Sequence, residues 1–117
     1  MLPNKYKLKQ EEDFKKVYKL GKRRNFPLFT LRYFVGPNID TKIAVVASIK
    51  EVGKANKRNL ARRRIWAALA KTLKIMPKKG FLLIFTLRKV VLDEKWANIS
   101  DNIDKIIKDL ANISNKR

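Results

Sequence analysis

The first regular pattern of apolar positions lies in the segment Gln10–Gly21. Acidic residues open this segment, basic residues close it and a glycine ends it, which is the charge order that favours a helix. Phe14, Val17 and Tyr18 are three and four residues apart, so a helix places them on one face. The pattern predicts a short helix here, followed by a basic loop at residues 22–25.

Two runs rich in aromatic and β-branched residues follow, at 26–35 and 41–49, with turn-forming residues at 36–40 between them. This arrangement predicts an antiparallel pair of strands. A second helix is predicted at about 55–73, after Gly53. The residues that keep helical spacing and form its buried stripe are Ala61, Ile65, Ala68, Leu69 and Leu73.

The rest of the chain predicts a third strand and a last helix. Residues 76–80 interrupt the helical pattern, 81–87 form a compact apolar strand, and Asp93 is placed to cap a helix. The apolar positions of that helix are Ile99, Ile103, Ile106, Ile107, Leu110 and Ile113. The order α-β-β-α-β-α predicts an α+β fold, a single-domain α/β sandwich with a layer of helices on a small sheet and a short extra strand possible.

The charge of the chain indicates what kind of partner it binds. The 117 residues hold 29 Lys plus Arg against 10 Asp plus Glu, a formal net charge of +19. Residues 1–92 carry 24 basic and 5 acidic residues, whereas 93–117 carry 5 of each, so the whole excess lies upstream of Asp93. So concentrated a charge destabilises the compact chain unless a polyanion neutralises it. RNA, DNA and an anionic membrane all remain candidates from charge alone.

Composition also excludes several chemistries. The chain has no Cys and no His, which removes disulfides, thiolate nucleophiles, zinc fingers and the commonest general base. Asp101 and Asp104 lie one turn apart, but on a charge-balanced helix, which predicts solvated side chains and no metal site. No apolar run approaches the roughly 20 residues of a membrane span, and the N-terminus lacks the apolar core of a signal peptide. We therefore expect a soluble intracellular protein with no membrane contact, and we place it in the cytoplasm. No protein partner is predicted.

The densest charge lies at the start of the second helix. Residues 54–64 contain six basic residues and no acid: Lys54, Lys57, Arg58, Arg62, Arg63 and Arg64. At 100° per residue, Asn59, Arg63 and Trp66 point away from the buried stripe. Cations in a first helical turn oppose the helix dipole, and a phosphate bound there would relieve that repulsion.

The same stretch resembles the signature of the protein subunit of bacterial ribonuclease P. That family carries the pattern G-K-A-V-x-R-N-R followed by I-K-R, and the matching residues are Gly53, Lys54, Ala55, Arg58, Asn59, Arg62 and Arg63. The acidic N-terminal helix with its glycine, the apolar strand at 81–87 and the last helix also follow the family's order. The resemblance therefore covers nearly the whole chain.

The resemblance implies a non-catalytic subunit, in which a catalytic RNA with bound Mg²⁺ removes the 5′ leader of precursor tRNA. The protein itself is expected to bind no metal or other cofactor. Its implied partners are that RNA and precursor tRNA, and it acts as a single RNA-binding domain over 1–117. The residues implied to bind the catalytic RNA are Lys54, Lys57, Arg58, Asn59, Arg62 and Arg63. Each phosphate they pair with releases counterions, so binding should depend steeply on salt.

A second implied surface is a groove between the first helix and the sheet that holds the single-stranded leader. Its candidate residues are Phe14, Tyr18, Phe29, Arg32 and Lys50. An aromatic ring can stack on any base, which suits a leader of variable sequence. Phe14 is equally suited to docking the helix on the sheet, and Tyr18, with its polar tip, is the better contact candidate.

Four positions depart from the family pattern: Glu51, Asn56, Leu60 and Trp66. Three of these departures remove positive charge from the implied RNA-facing region. Trp66 has two open interpretations, since its ring can stack on a base or cover the edge of the core beside Leu69 and Leu73.

Other classes of protein share part of this pattern. A general RNA-binding module, such as a ribosomal protein of related fold, is the main alternative. A DNA-binding protein fits less well, because the basic helix lacks an obvious helix-turn-helix partner and dimer seam. A free-standing nuclease fits least.

Overall fold

The computed structural model describes the backbone of residues 3–115 and the side chains of residues 3–113. Met1, Leu2, Lys116 and Arg117, which the predicted domain includes, lie outside the described residues. The helices and strands are, in order, α1 Glu11–Leu20, β1 Lys22–Asn25, β2 Phe29–Asp40, β3 Lys42–Val46, α2 Ala55–Lys71, β4 Lys79–Leu87 and α3 Trp96–Asn115. Short 3-10 turns lie at Asn4–Tyr6 and Lys89–Leu92. The predicted α+β class is confirmed.

The four strands form one sheet in the order β1-β2-β4-β3. β4 lies between β2 and β3, antiparallel to β2 and parallel to β3. The predicted antiparallel pairing of the runs at 26–35 and 41–49, which contain most of β2 and all of β3, is therefore wrong. Both runs are strands, but α2 is the crossover of a parallel β3-α2-β4 unit, and a crossover sets no requirement that β2 and β3 be neighbours.

The basic loop predicted at 22–25 is also wrong, because these residues form β1. Its four polar side chains are exposed, and its backbone pairs with Thr30–Tyr33 of β2 at the edge of the sheet. An exposed edge strand rich in cations carries no apolar alternation, so the period-2 signal that reveals a strand is absent. β1 is the short extra strand that the predicted fold included as possible.

Helices cover both faces of the sheet, where the sequence predicted one layer. Alternate residues of β4 point to opposite faces. Phe81, Leu83 and Phe85 pack with α2 and α3 in the larger core, while Leu82 and Ile84 pack with α1 in a smaller one. Ala61, Ile65, Ala68 and Leu69 of the predicted stripe are buried, whereas Leu73 lies beyond α2 and is 37% exposed.

The last helix begins later than predicted. Asp93 ends the 3-10 turn at Lys89–Leu92, and α3 starts at Trp96. Glu94 supplies the local acceptor instead: its Oε1 accepts hydrogen bonds of 2.9 Å from the Lys95 N–H and from Asn98 Nδ2. The hydrogen bond from Asn98, followed by that from Lys95, lowers the pKa of the Glu94 carboxyl.

Two glycines are required by the backbone. A Cβ on Gly21, where α1 ends, would clash with the Val17 carbonyl oxygen and lie 2.7 Å from that of Tyr33. Gly53 has a φ of +118°, in the region that L side chains rarely adopt. These two residues set where α1 meets β2 and where the chain enters α2.

Candidate nucleic-acid interface

The N-terminal half of α2 presents the positive surface predicted from the sequence. Lys54, Lys57, Asn59 and Arg63 are exposed. The first turn contains no acid, and the N-cap residue Lys54 makes no side-chain capping hydrogen bond. The Lys57 N–H of this turn donates to Asn56 Oδ1 at 2.9 Å. The N–H groups that precede it have no acceptor one turn back within the helix, and together with the neighbouring cations they form a site that favours an anion.

Arg58 has a special position in this surface. It continues the buried stripe of α2 by one turn, three residues before Ala61, and is half-buried. Its Nε is buried and has no hydrogen-bond partner within the described part of the chain. A buried donor of a charged group without an acceptor is costly, and an oxyanion that displaces the atoms covering Nε would relieve that cost.

Arg62, Arg63 and Asn59 meet at an open concavity of about 460 Å³ on the outer side of α2, which Trp66 completes. Asn59 Oδ1 accepts a hydrogen bond from the Arg62 guanidinium, which holds the two side chains together. Three predicted RNA-binding residues thus share one surface.

Trp66 is half-buried and packs against the larger core. Lys7 Nζ lies 5.6 Å from the centre of its ring. The packing supports the interpretation that Trp66 covers the core edge, while its ring also borders the concavity.

Arg64 plays a structural part that its charge alone does not indicate. Its guanidinium donates to the carbonyl oxygens of Val91 at 2.7 Å and Leu92 at 2.9 Å, and also to that of Glu94. These carbonyls lie where the 3-10 turn ends before α3. Arg64 therefore joins α2 to the start of α3, and its guanidinium is occupied by contacts within the protein. Its neighbour Arg63 is exposed.

The predicted groove lies on the α1 side of the sheet. Tyr18 is 53% exposed, and the Arg32 guanidinium lies 5.3 Å from the centre of its ring. Arg32 also donates to Thr86 Oγ1 at 3.3 Å, which holds it on the sheet surface. Phe14 is half-buried and packs on the smaller core, so it docks α1. Tyr18 and Arg32 are thus brought together as predicted.

Phe29 requires a correction. It is fully buried, on the opposite face of the sheet, where its ring lies 5.0 Å from that of Phe85. A strand alternates its side chains, so Phe29 points away from the groove that its neighbour Thr30 faces. The assignment of Phe29 to the groove is therefore wrong, because the sequence did not reveal which alternate set of β2 faces α1.

Further residues of the groove were missed by the sequence. A cavity of about 220 Å³ beside Arg32 is lined by Thr30, Thr86, Arg88 and Glu51. Arg88 donates to Thr30 Oγ1 at 3.1 Å, so a second guanidinium lies near Arg32. Lys50 is exposed in the loop that also carries Glu51. Glu51 is the one acid that lines this cavity, and its carboxylate lowers the positive potential of the cavity.

Two features bear on other chemistries. Across the described residues, no three Asp or Glu side chains group in the way a metal ion requires. No helix in this part of the chain has both the length and the apolar character needed to cross a membrane.

The fold and these two surfaces define a class, a small basic α+β protein built to bind nucleic acid. Comparison with known proteins gives the family. The family model described as Ribonuclease P matches residues 2–111. A ribonuclease P protein component of Pseudanabaena sp. is 30% identical over 108 residues, which cover 92% of each chain. The chain belongs to the ribonuclease P protein family.

Solved structures agree on the fold. The ribonuclease P protein of Staphylococcus aureus superposes with a TM-score of 0.72 at 22% identity, covering 91% of this chain and 94% of that one. The protein from Thermotoga maritima gives a TM-score of 0.73 at 21% identity, covering 87% and 94%. The resemblance inferred from the motif is confirmed, and with it the function of an RNA-binding ribonuclease P subunit in 5′ leader processing of tRNA.

Proposed function

We propose that this chain is the non-catalytic subunit of ribonuclease P and that the RNA subunit, with Mg²⁺, performs the cleavage. The observation that carries the proposal is the start of α2, where a buried Arg58 Nε without a partner adjoins a helix terminus free of acids. Such a site binds phosphate but offers no nucleophile or general base. The absence of His and Cys from the sequence supports the same division of labour. We place this activity in the cytoplasm, in a single RNA-binding domain.

The α2 surface is the proposed contact with the catalytic RNA. Phosphates would pair with the cations Lys54, Lys57, Arg58, Arg62 and Arg63, and Asn59 would hydrogen-bond to the backbone or to a base edge. The helix terminus adds backbone N–H donors to the same phosphates.

The groove beside α1 is the proposed contact with the leader. Tyr18 offers an exposed ring for stacking, and Arg32, Arg88 and Lys50 offer charge to the backbone. This combination of a ring and flanking cations binds a single strand without selecting its sequence.

The division of labour is tested by incubating precursor tRNA with the protein alone, with the RNA subunit alone at high Mg²⁺, and with both. We expect leader removal wherever the RNA subunit is present and none with protein alone. Cleavage at the correct site by purified, RNA-free protein would contradict the proposal.

Replacing Tyr18 with alanine is expected to weaken binding of precursor tRNA by the holoenzyme roughly tenfold, since a stacked base contributes about 1–3 kcal/mol. Binding of mature tRNA, which lacks the leader, should not change. Fluorescence anisotropy with the two tRNAs measures the difference, and Tyr18→Phe, which keeps the ring, is the control. An equal loss for both tRNAs would show that Tyr18 does not contact the leader.

Leu60→Arg tests the departure from the family motif. Leu60 is 42% exposed on α2, so an arginine there is expected to leave the melting temperature unchanged and to leave RNA binding unchanged or tighter. Thermal unfolding and filter binding measure the two quantities. A marked loss of stability would show that Leu60 is part of the core.

A further inference from the structure

A second group of cations lies at the other end of the sheet from the start of α2. Four lysines surround a cavity of about 220 Å³: Lys5, Lys42, Lys78 and Lys79. They come from the first 3-10 turn, the start of β3 and the approach to β4, so the fold brings together three separate segments. An adjoining concavity of about 360 Å³ shares Lys5 and Lys78 and adds Lys74. We call these five residues the lysine cluster.

The charge of the lysine cluster is largely uncompensated. Over the described residues, the ion pairs are Lys15–Glu11 and Lys108–Asp104, and neither involves the cluster. Asp40 is the one acid that lines the cavity, so its four lysines and one aspartate leave a net charge of +3. Lys42 Nζ donates to the Lys5 carbonyl oxygen at 2.6 Å, which fixes this ammonium at the cavity. Like charges that line one cavity repel, and a bound anion would reduce the repulsion.

Thr41 gives an independent indication of a ligand. It lines the same cavity, is 2% exposed, and its Oγ1 has no hydrogen-bond partner within residues 3–113. Its backbone N–H is already used, donating to the Lys78 carbonyl oxygen at 3.0 Å. A buried hydroxyl without a partner costs stability. An oxygen of an anion held by the lysines would supply the missing acceptor once the side chains that cover the hydroxyl move aside.

We propose that the lysine cluster is a second phosphate-binding site, separate from the α2 surface and the groove. The 17 residues of α2 make it about 25 Å long at 1.5 Å per residue, and the two sites lie toward its opposite ends. A phosphate on Arg58 therefore cannot also contact Lys78. The ligand is a phosphate group, carried by a separate stretch of an RNA strand or free in solution. The inference does not depend on the roles proposed for α2 and the groove.

The first experiment titrates inorganic phosphate into the full chain and follows backbone amide NMR signals. We expect saturable shifts at residues 41–42 and 78–79 that disappear in Lys78→Ala/Lys79→Ala. Lys105→Ala/Lys108→Ala removes the same charge from α3 and should keep the shifts. Asp40→Asn should tighten phosphate binding, and such a gain cannot arise from unfolding.

The second experiment measures the affinity of the same variants for a single-stranded RNA across salt concentrations. If two phosphates of the strand bind here, the slope of log K against log salt falls by about 1.4 in Lys78→Ala/Lys79→Ala and not in the control. Phosphate shifts without a change in this slope would support the site and identify free phosphate as its ligand.

The absence of saturable shifts in the unmodified chain would overturn the inference, as would equal losses in the two double variants. Substitutions at Arg58 and Arg63, which test the proposed α2 contact, leave the cluster intact, so the two proposals can fail separately. Thr41→Val should weaken phosphate binding while leaving the melting temperature unchanged or higher, since it removes an unpartnered hydroxyl.

Discussion

Arg64→Ala is expected to lower the melting temperature on the order of 10 °C, because the loss of a charged donor shared by three carbonyls costs about 3 kcal/mol. The carbonyls of Val91, Leu92 and Glu94 would lose the guanidinium that joins α2 to the start of α3. Calorimetry or thermal circular dichroism of the RNA-free chain measures the change.

The neighbouring residue is the matched control. Arg63→Ala removes the same charge from the same helix, but Arg63 is exposed, so its melting temperature should stay within a degree or two while its RNA affinity falls. Arg64→Lys should recover only part of the stability, since an ammonium lacks the planar fork of donors. Equal stability in Arg63→Ala and Arg64→Ala would show that the contacts of Arg64 do not hold the two helices together.

Arg58→Ala is expected to have the largest effect on RNA binding. Removing one partner of a buried, hydrogen-bonded charge pair at an interface costs about 2–5 kcal/mol, which is at least roughly a thirtyfold loss of affinity for the catalytic RNA. The dependence on salt should also become less steep, by about one unit of slope for each phosphate that the protein no longer neutralises. Filter binding at several salt concentrations measures both quantities.

The stability of the same variant separates binding from folding. Because Arg58 Nε has no partner in the described part of the RNA-free chain, Arg58→Ala should change the melting temperature little. Lys105→Ala, on α3, removes one positive charge far from α2 and should change neither the affinity nor the slope. An Arg58→Ala chain that binds the RNA with unchanged affinity would remove Arg58 from the proposed interface.

The sequence predicts the fold wherever apolar spacing is dense. α1, α2 and β4 begin and end within about two residues of their expected positions, because a buried stripe and clear end signals define each of them. Prediction from the sequence fails where no local pattern marks an element or where its position depends on contacts between distant parts of the chain. Strand β1 has four exposed polar residues, and the position of β4 between β2 and β3 depends on packing of the whole sheet.

The candidate site could likewise be predicted where the signal is local, and not where it depends on tertiary packing. The cations of α2 are predicted from spacing and motif, and the pair Tyr18–Arg32 is implied by the resemblance to the family. In the structure each of these side chains is exposed or half-buried. Phe29 was misplaced because a sequence does not show which face of β2 lies under α1. Arg63 and Arg64 are adjacent in the sequence. Only the position of α3 in the fold shows that Arg64 makes structural contacts while Arg63 is exposed. The lysine cluster draws on segments more than 30 residues apart, so no local pattern reveals it.

We infer that this chain enables a catalytic RNA to cleave precursor tRNA because the chain binds that RNA through α2. The most direct test is the rate of leader removal by the cognate RNA subunit at low Mg²⁺ and physiological salt, with and without the chain. Strong stimulation by the unmodified chain, lost in Arg58→Ala/Arg63→Ala and retained in Lys105→Ala/Lys108→Ala, is the predicted result. No stimulation over the RNA alone, or equal stimulation by all three proteins, would contradict it.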